Sequence, residues 1–168
     1  MLFRSEPAGD ASHAGLEGPQ RVKKLAEFNS FDLAVALEDA VNGTSLMLAF
    51  EIGSEVLLFP GDAQWGTWQA AMANPTWAAL LRRVSFLKVG HHGSHNATPV
   101  DFVEELLPDG IAAMVSTRLM TDWPNIPRGP LLDKLAAKGV RLARSDQLDT
   151  PPAGFSVDPD KRWIEISI

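Results

Sequence analysis

The sequence predicts a single domain of the α/β or α+β class, and three observations predict it. Apolar, strand-like runs alternate with helix-like segments from residue 45 onward, which is typical of βαβ units. A length of 168 residues is enough to bury one hydrophobic core. The hydrophobic share of 45% and the charged share of 21% are those of an ordinary globular protein. We expect a flexible tail over residues 1–19, rich in Gly, Pro, Ser and Ala, and a domain over residues 20–168.

The first clear strands form a predicted hairpin. Residues 45–52 and 55–59 are dense in apolar side chains and flank the turn Gly53-Ser54, which favours an antiparallel pair. Before them, residues 25–41 mix helical and strand spacing, so both a helix and a short strand stay open there. After them, residues 64–83 predict a helix that breaks near Pro75, because proline suits the first turn of a second helix.

The remaining elements continue the alternation of strands and helices. Gly139 closes the last predicted helix, since glycine readily adopts the left-handed conformation found after helix ends. We predict a strand at 84–89, a polar loop at 90–99, a helix at 100–107, a strand at 111–115, a helix at 130–138, a strand at 140–143, and a terminal hairpin of 155–157 with 163–168.

Composition excludes several classes of function. With 15 Lys and Arg against 21 Asp and Glu, the net charge of −6 argues against a module that holds nucleic acid by bulk charge. The absence of cysteine excludes disulfides, thiolate metal sites and a cysteine nucleophile. No apolar run approaches the roughly 20 residues of a membrane span, and the N-terminus has no secretion-signal pattern. We therefore expect a cytoplasmic protein without a membrane partner.

Three of the four histidines fall within five positions, at His91, His92 and His95. They follow a predicted strand, and the carboxyl ends of strands are where α/β sheets place ligands and catalytic groups. Gly90 and Gly93 flank the pair and let the backbone bend closely. Imidazole is a common metal ligand and a general acid or base near neutral pH. The alternative is that these histidines belong to a polar surface loop without a specific function.

Asp62 ends another predicted strand, directly after Gly61. The 29 positions from Asp62 to His91 are enough for a helical crossover between parallel strands. Both strand ends would then lie at one edge of the sheet, where a carboxylate and an imidazole could bind a metal. The alternative for an aspartate in this position is a turn former or a helix N-cap.

Two stretches together resemble the metallo-β-lactamase superfamily. Residues 57–63 (LLFPGDA) and 87–98 (LKVGHHGSHNAT) are most similar to the branch that contains the hydrolase domain of the competence DNA-uptake protein and related soluble hydrolases. Residues 42–48 (NGTSLML) resemble the strand entry that precedes the Gly-Asp motif in that branch.

The resemblance implies a four-layer αββα sandwich with two divalent metal ions, commonly zinc, at one edge of its sheets. Asp62 would bridge the metals, and His91 would bind the second one, with His92 as the less certain ligand. The substrate would be a small molecule or a phosphoester, nucleic acid included, attacked by a metal-bound hydroxide. The residues that would donate hydrogen bonds to substrate oxygens are Ser94, His95, Asn96 and Thr98.

The chain departs from the superfamily at its first metal motif, His-x-His-x-Asp-His, which is absent. Asp62 and His91 are two ligands, whereas zinc takes three or four. The sequence therefore resembles the C-terminal half of such a domain. One hypothesis is a metal-dependent hydrolase of this fold. The other is a catalytically incomplete half-domain that folds with a partner chain carrying the missing motif, or that has only a structural role.

Overall fold

A five-stranded mixed sheet forms the centre of the fold. The computed structural model describes residues 44–94, 98–118, 120–121 and 124–168. The sheet has the order β1-β2-β3-β4-β5; β1 is antiparallel to β2, and all other neighbours are parallel. The predicted tail at 1–19 and the segment at 25–41 lie outside the described residues. The five strands are β1 (Leu48–Ile52), β2 (Glu55–Phe59), β3 (Val84–Lys88), β4 (Ala112–Val115) and β5 (Arg141–Arg144).

Two consecutive helices connect β2 to β3, and Asn74 separates them. Its side-chain Oδ1 accepts hydrogen bonds from the amides of Thr76 (2.9 Å) and Trp77 (3.2 Å), so it caps amides that a helix start leaves unpaired. Pro75 occupies the first helical position, as predicted. The helices are α1 (Trp65–Ala73), α2 (Pro75–Leu81) and α3 (Gly129–Ala137), with a π-helical turn at Phe102–Leu106.

The helices pack on one face of the sheet. Strands β2 to β5 are adjacent in the sheet in the same order as in the chain. When all connections between such parallel strands have the usual right-handed sense, every crossover lies on the same side of the sheet. Trp68 of α1 and Phe102 are fully buried with their ring centroids 4.7 Å apart. The core between helices and sheet also contains Val56, Leu58, Leu81, Val84, Leu87, Val103, Ala113, Leu131 and Leu135.

A small hairpin covers part of the opposite face. It consists of β6 (Phe155–Val157) and β7 (Ile164–Ile166), and Phe155 packs against Phe86 of β3 and its neighbours on β4 and β5. On β1 three apolar side chains remain exposed at every second position: Leu48 at 46%, Phe50 at 49% and Ile52 at 63%. We call these three residues the β1 stripe. Alternate residues of a strand share a face, so the stripe extends the apolar surface of this face to the edge of the sheet.

The mixed α/β architecture confirms the coarse prediction of an α/β or α+β fold, and the four-layer αββα sandwich stays a prediction. The hairpin around Gly53-Ser54, the helix break at Pro75 and the terminal hairpin lie where the sequence predicts them. The predicted helix at 100–107 is the π-helical turn. Among the described helices, each is too short or too polar to cross a membrane.

Candidate functional site

The carboxyl ends of four parallel strands lie along one edge of the sheet, which we call the carboxyl edge. Strands β2 to β5 run in the same direction, so the segments that follow them lie side by side. Asp62 follows β2, the pair His91 and His92 follows β3, Ser116 follows β4, and Ser145 follows β5. The topology therefore brings the predicted carboxylate and imidazoles to one edge of the sheet, as the sequence indicated.

The turn after β3 has a strained backbone. His91, His92 and Gly93 have φ angles of 40°, 56° and 77°, so two of the three left-handed residues carry a side chain. Such conformations cost about 1–3 kcal/mol each, and they cluster at functional sites, where the surrounding structure maintains them. Hydrogen bonds across the turn, from the Gly93 amide to Gly90 O (2.8 Å) and from the Ser94 amide to His91 O (2.9 Å), stabilise it.

The segment before α3 fixes this turn from outside. A Cβ atom added to Gly93 would lie 2.8 Å from Cβ of Pro127, so only glycine fits between the turn and Pro127. The amide of Arg128 donates a hydrogen bond of 3.0 Å to Gly93 O. The strained histidine pair is thus clamped between β3 and the start of α3.

The ring of His92 has a defined orientation. Its Nδ1 lies 2.7 Å from the backbone carbonyl oxygen of Ser116. A carbonyl oxygen only accepts hydrogen bonds, so Nδ1 carries the hydrogen, and in the neutral ring Nε2 is the basic nitrogen. Metal-binding histidines characteristically donate their other ring N–H to a carbonyl or carboxylate, which fixes tautomer and orientation. His92 therefore has the geometry of a ligand or base that acts through Nε2.

The neighbouring imidazole of His91 is half-buried, whereas His92 is exposed. The two ring centroids are 6.3 Å apart and the ring planes are inclined by 56°. The resemblance favours His91 as the metal ligand. The contact to Ser116 orients the ring of His92 for the same role, so the choice of ligand stays a prediction.

Asp62 lies in the turn after β2, which depends on a left-handed glycine. Gly61 has a φ of 58°, and a Cβ there would lie 3.2 Å from Leu46 O. Asp62 is close enough to Lys88, the last residue of β3, to influence its charge. Burial lowers the pKa of Lys88 and the negative charge of Asp62 opposes that shift. The carboxyl edge thus contains a half-buried ammonium group beside the predicted carboxylate, which the sequence analysis missed.

The predicted substrate-contacting hydroxyls lie inside the structure. Ser94 and Thr98 are each only 7% exposed, and their hydroxyl oxygens are buried without a hydrogen-bond partner among the residues that the structure describes. An unpaired buried hydroxyl is costly and calls for water, a ligand or a further protein group. His95 and Asn96 lie outside the described residues, so the substrate role of all four residues stays a prediction.

Ser145 connects the ends of β4 and β5. Its Oγ donates to the carbonyl oxygen of Thr117 (2.6 Å) and accepts from the Thr117 amide (2.7 Å). The sequence analysis did not single out Ser116, Thr117 or Ser145. The available signal was their position directly after predicted strands, where polar residues gather at the edge of a parallel sheet.

The fit of a metal ion to these residues is incomplete. Within residues 44–94, 98–118, 120–121 and 124–168, no three His, Asp or Glu side chains are grouped so that they could hold an ion. The oriented ring of His92 suits a ligand, but the described donors fall short of the three or four that zinc takes. No reaction step through a metal follows from these residues alone.

Comparisons of the chain with protein-family models, with curated proteins and with solved structures gave no match. The functional interpretation therefore rests on the residues and geometry of the carboxyl edge.

Proposed function

We propose that the chain contributes one half of a metal-dependent hydrolase site at the carboxyl edge, and that it acts on phosphoesters. The observation that carries the proposal is the contact of 2.7 Å between His92 Nδ1 and Ser116 O. It presents Nε2 as a ligand nitrogen, in a strained turn next to the strand that Asp62 follows. A surface histidine without a function gives no reason for two successive left-handed non-glycine residues.

The other half of the site is proposed to come from a partner chain. The sequence has four histidines, three of which share one loop, so it cannot supply the His-x-His-x-Asp-His motif. The β1 stripe fits this proposal, because the second sheet of an αββα sandwich would pack on the sheet face that carries it. The partner would then be a chain with an apolar sheet face and that histidine motif.

The chain's own groups have distinct parts in this proposal. Asp62 and one of the two histidines of the turn would be the ligands. Lys88 would attract an anionic substrate through its half-buried ammonium group, whose charge Asp62 favours, since partly buried charges interact more strongly than fully exposed ones. Ser116 O would hold the His92 ring in its tautomer. A phosphoester is the substrate class that best fits a half-buried ammonium group and metal ligands at the same edge of the sheet.

The decisive experiment compares the chain alone with the chain co-expressed with the polypeptide encoded directly upstream. Zinc content after dialysis and hydrolysis of bis-p-nitrophenyl phosphate are measured for both. We expect low zinc occupancy in the chain alone and stoichiometric zinc with activity in the complex. In the complex, Asp62→Ala should abolish both zinc binding and activity. One of the two histidine variants, His91→Ala or His92→Asn, should do the same.

The matched control is Asp133→Asn, which removes an exposed carboxylate on α3 and should leave zinc content and activity unchanged. If Asp62→Ala and both histidine variants retain full zinc and activity, the assignment of these ligands is wrong. If no upstream polypeptide binds the chain and no zinc is retained, the alternative of a structural half-domain replaces the hydrolase.

A further inference from the structure

A cleft of about 520 Å³ lies at the amino ends of the parallel strands. Four of its lining residues are the first residues of β2, β3, β4 and β5: Glu55, Val84, Ala112 and Arg141. This is the sheet edge opposite to the carboxyl edge. A strand of four or five residues separates the two by roughly 15 Å, so the cleft is distinct from the site of the proposed hydrolase.

Three guanidinium groups line the cleft, and each is anchored by one described contact. Arg82 Nη1 donates to Ala78 O (3.2 Å), Arg141 Nη1 donates to Ala153 O (2.9 Å), and Arg83 Nη1 pairs with Glu51 Oε1 (2.7 Å). A guanidinium has five N–H donors, so a single contact orients it and uses few of them. Arg82 and Arg141 are held by neutral carbonyl groups and keep their positive charge uncompensated in these contacts.

The acidic side chains of the cleft have partners of their own. Ser54 Oγ donates to Glu55 Oε1 at 3.0 Å, and a hydrogen bond with Ser85 lowers the pKa of Glu55 most. Asp109 forms an ion pair of 2.7 Å with Lys138. Within the described part of the chain, neither carboxylate forms an ion pair with Arg82 or Arg141. Glu55 therefore keeps its negative charge in the cleft, beside the positive charges of Arg82 and Arg141.

We propose that this cleft binds a small phosphate monoester whose organic part is apolar or aromatic. Planar guanidinium groups can bind phosphate oxygens through paired N–H donors, and a dianion would suit Arg82 and Arg141, whose contacts among the described residues are to neutral carbonyls. Val84, Ile111 and Ala112 supply an apolar wall for the organic group. The volume lies within the range of about 300–1,000 Å³ found for small-molecule sites.

Phenyl phosphate is a suitable probe, and its binding to the full chain can be followed by isothermal titration calorimetry. We expect saturable binding that weakens as salt is added, because two charge-assisted contacts are screened. The double variant Arg82→Gln/Arg141→Gln should bind at least tenfold more weakly. Glutamine retains an N–H donor for Ala78 O and Ala153 O, and a thermal melt shows whether the variant remains folded.

One control distinguishes this cleft from other cationic surfaces. Arg118→Gln removes an exposed arginine that follows β4 at the carboxyl edge, and this variant should bind phenyl phosphate as the unaltered chain does. The proposal is overturned if the unaltered chain does not bind phenyl phosphate at millimolar concentration, if phenol binds equally well, or if the folded double variant binds with unchanged affinity.

Discussion

The imidazole of His92 and the carbonyl of Ser116 form a hydrogen bond of 2.7 Å between the turn after β3 and the end of β4. The bond ties a left-handed residue, with a φ of 56°, to the neighbouring strand. It therefore has two consequences that can be separated by mutation. It stabilises the turn, and it makes Nε2 the basic nitrogen of the ring.

We predict that His92→Asn keeps the stability of the chain and loses the chemistry of the ring. The asparagine amide can donate to Ser116 O in place of Nδ1, and asparagine is tolerated in left-handed backbone, but it has no counterpart of Nε2. His92→Ala should instead lower the free energy of unfolding by about 1 kcal/mol, since it removes the hydrogen bond. Urea denaturation measures both variants.

The comparison is informative because asparagine keeps a donor for Ser116 O and tolerates this φ, whereas alanine has no donor. An alanine variant as stable as the unaltered chain would mean that the contact with Ser116 contributes nothing to the turn. An asparagine variant as unstable as the alanine one would show that the ring is held by more than its Nδ1 hydrogen bond.

Gly93→Ala is predicted to be much more destabilising than Gly53→Ala. Both glycines have positive φ angles, 77° and 63°, so both substitutions carry the left-handed penalty of about 1–2 kcal/mol. The added Cβ at Gly53 meets nothing within 4 Å, whereas at Gly93 it lies 2.8 Å from Pro127 Cβ. Overlap of this kind adds about 1–3 kcal/mol. Thermal or urea unfolding of the two variants checks the difference, and equal losses would rule out a clamp at Pro127.

Much of the fold was predictable because its elements carry local signals. Gly53-Ser54 between two apolar runs predicts a hairpin, and Asn74-Pro75 predicts a helix break. The π-helical turn at Phe102–Leu106 was predicted as an ordinary helix, because both bury an apolar face with nearly the same spacing. The hairpin of β6 and β7 covers part of the sheet face opposite to the helices through packing of Phe155 against Phe86. No local sequence pattern predicts this tertiary contact.

The candidate site was predictable only in part. Asp62 and the histidine pair stand out by residue type and by their place after strands. The contact between His92 and Ser116 joins residues 24 positions apart, so spacing along the chain gave no sign of it. Lys88 was overlooked because a lysine at a strand end usually points into solvent, and its burial becomes visible only in three dimensions.

The ion pair between Arg144 and Asp146 predicts a defined pH dependence of stability. Arg144 donates two hydrogen bonds, of 3.0 and 2.7 Å, to Asp146, and these lower the pKa of Asp146 below its ordinary value of 3.8. The folded state therefore binds fewer protons here than the unfolded state. The stabilisation is complete above the unfolded pKa and is lost as the pH falls through the lower folded one.

We therefore expect Asp146→Asn to flatten the pH dependence of the free energy of unfolding below about pH 4, where the unaltered chain loses this contribution. Asp149→Asn is the control: it removes an equal charge from a side chain that is 83% exposed, and surface ion pairs of this kind contribute little. Urea unfolding between pH 2.5 and 6 tests both. Identical slopes for Asp146→Asn and the unaltered chain would contradict a stabilising role of the pair.

The β1 stripe predicts that the isolated chain self-associates. Phe50 and Ile52 lie exposed on the face that β6 and β7 leave partly uncovered, and apolar surface of this kind drives association. Phe50→Lys/Ile52→Lys should weaken the association at least tenfold, because two charges would have to be desolvated at the contact. Sedimentation velocity at several concentrations measures the self-association. The control is Gln69→Lys, which also introduces a lysine, but on the exposed side of α1. A chain that stays monomeric at high concentration would count against the half-domain, since an uncovered sheet face is what that proposal requires.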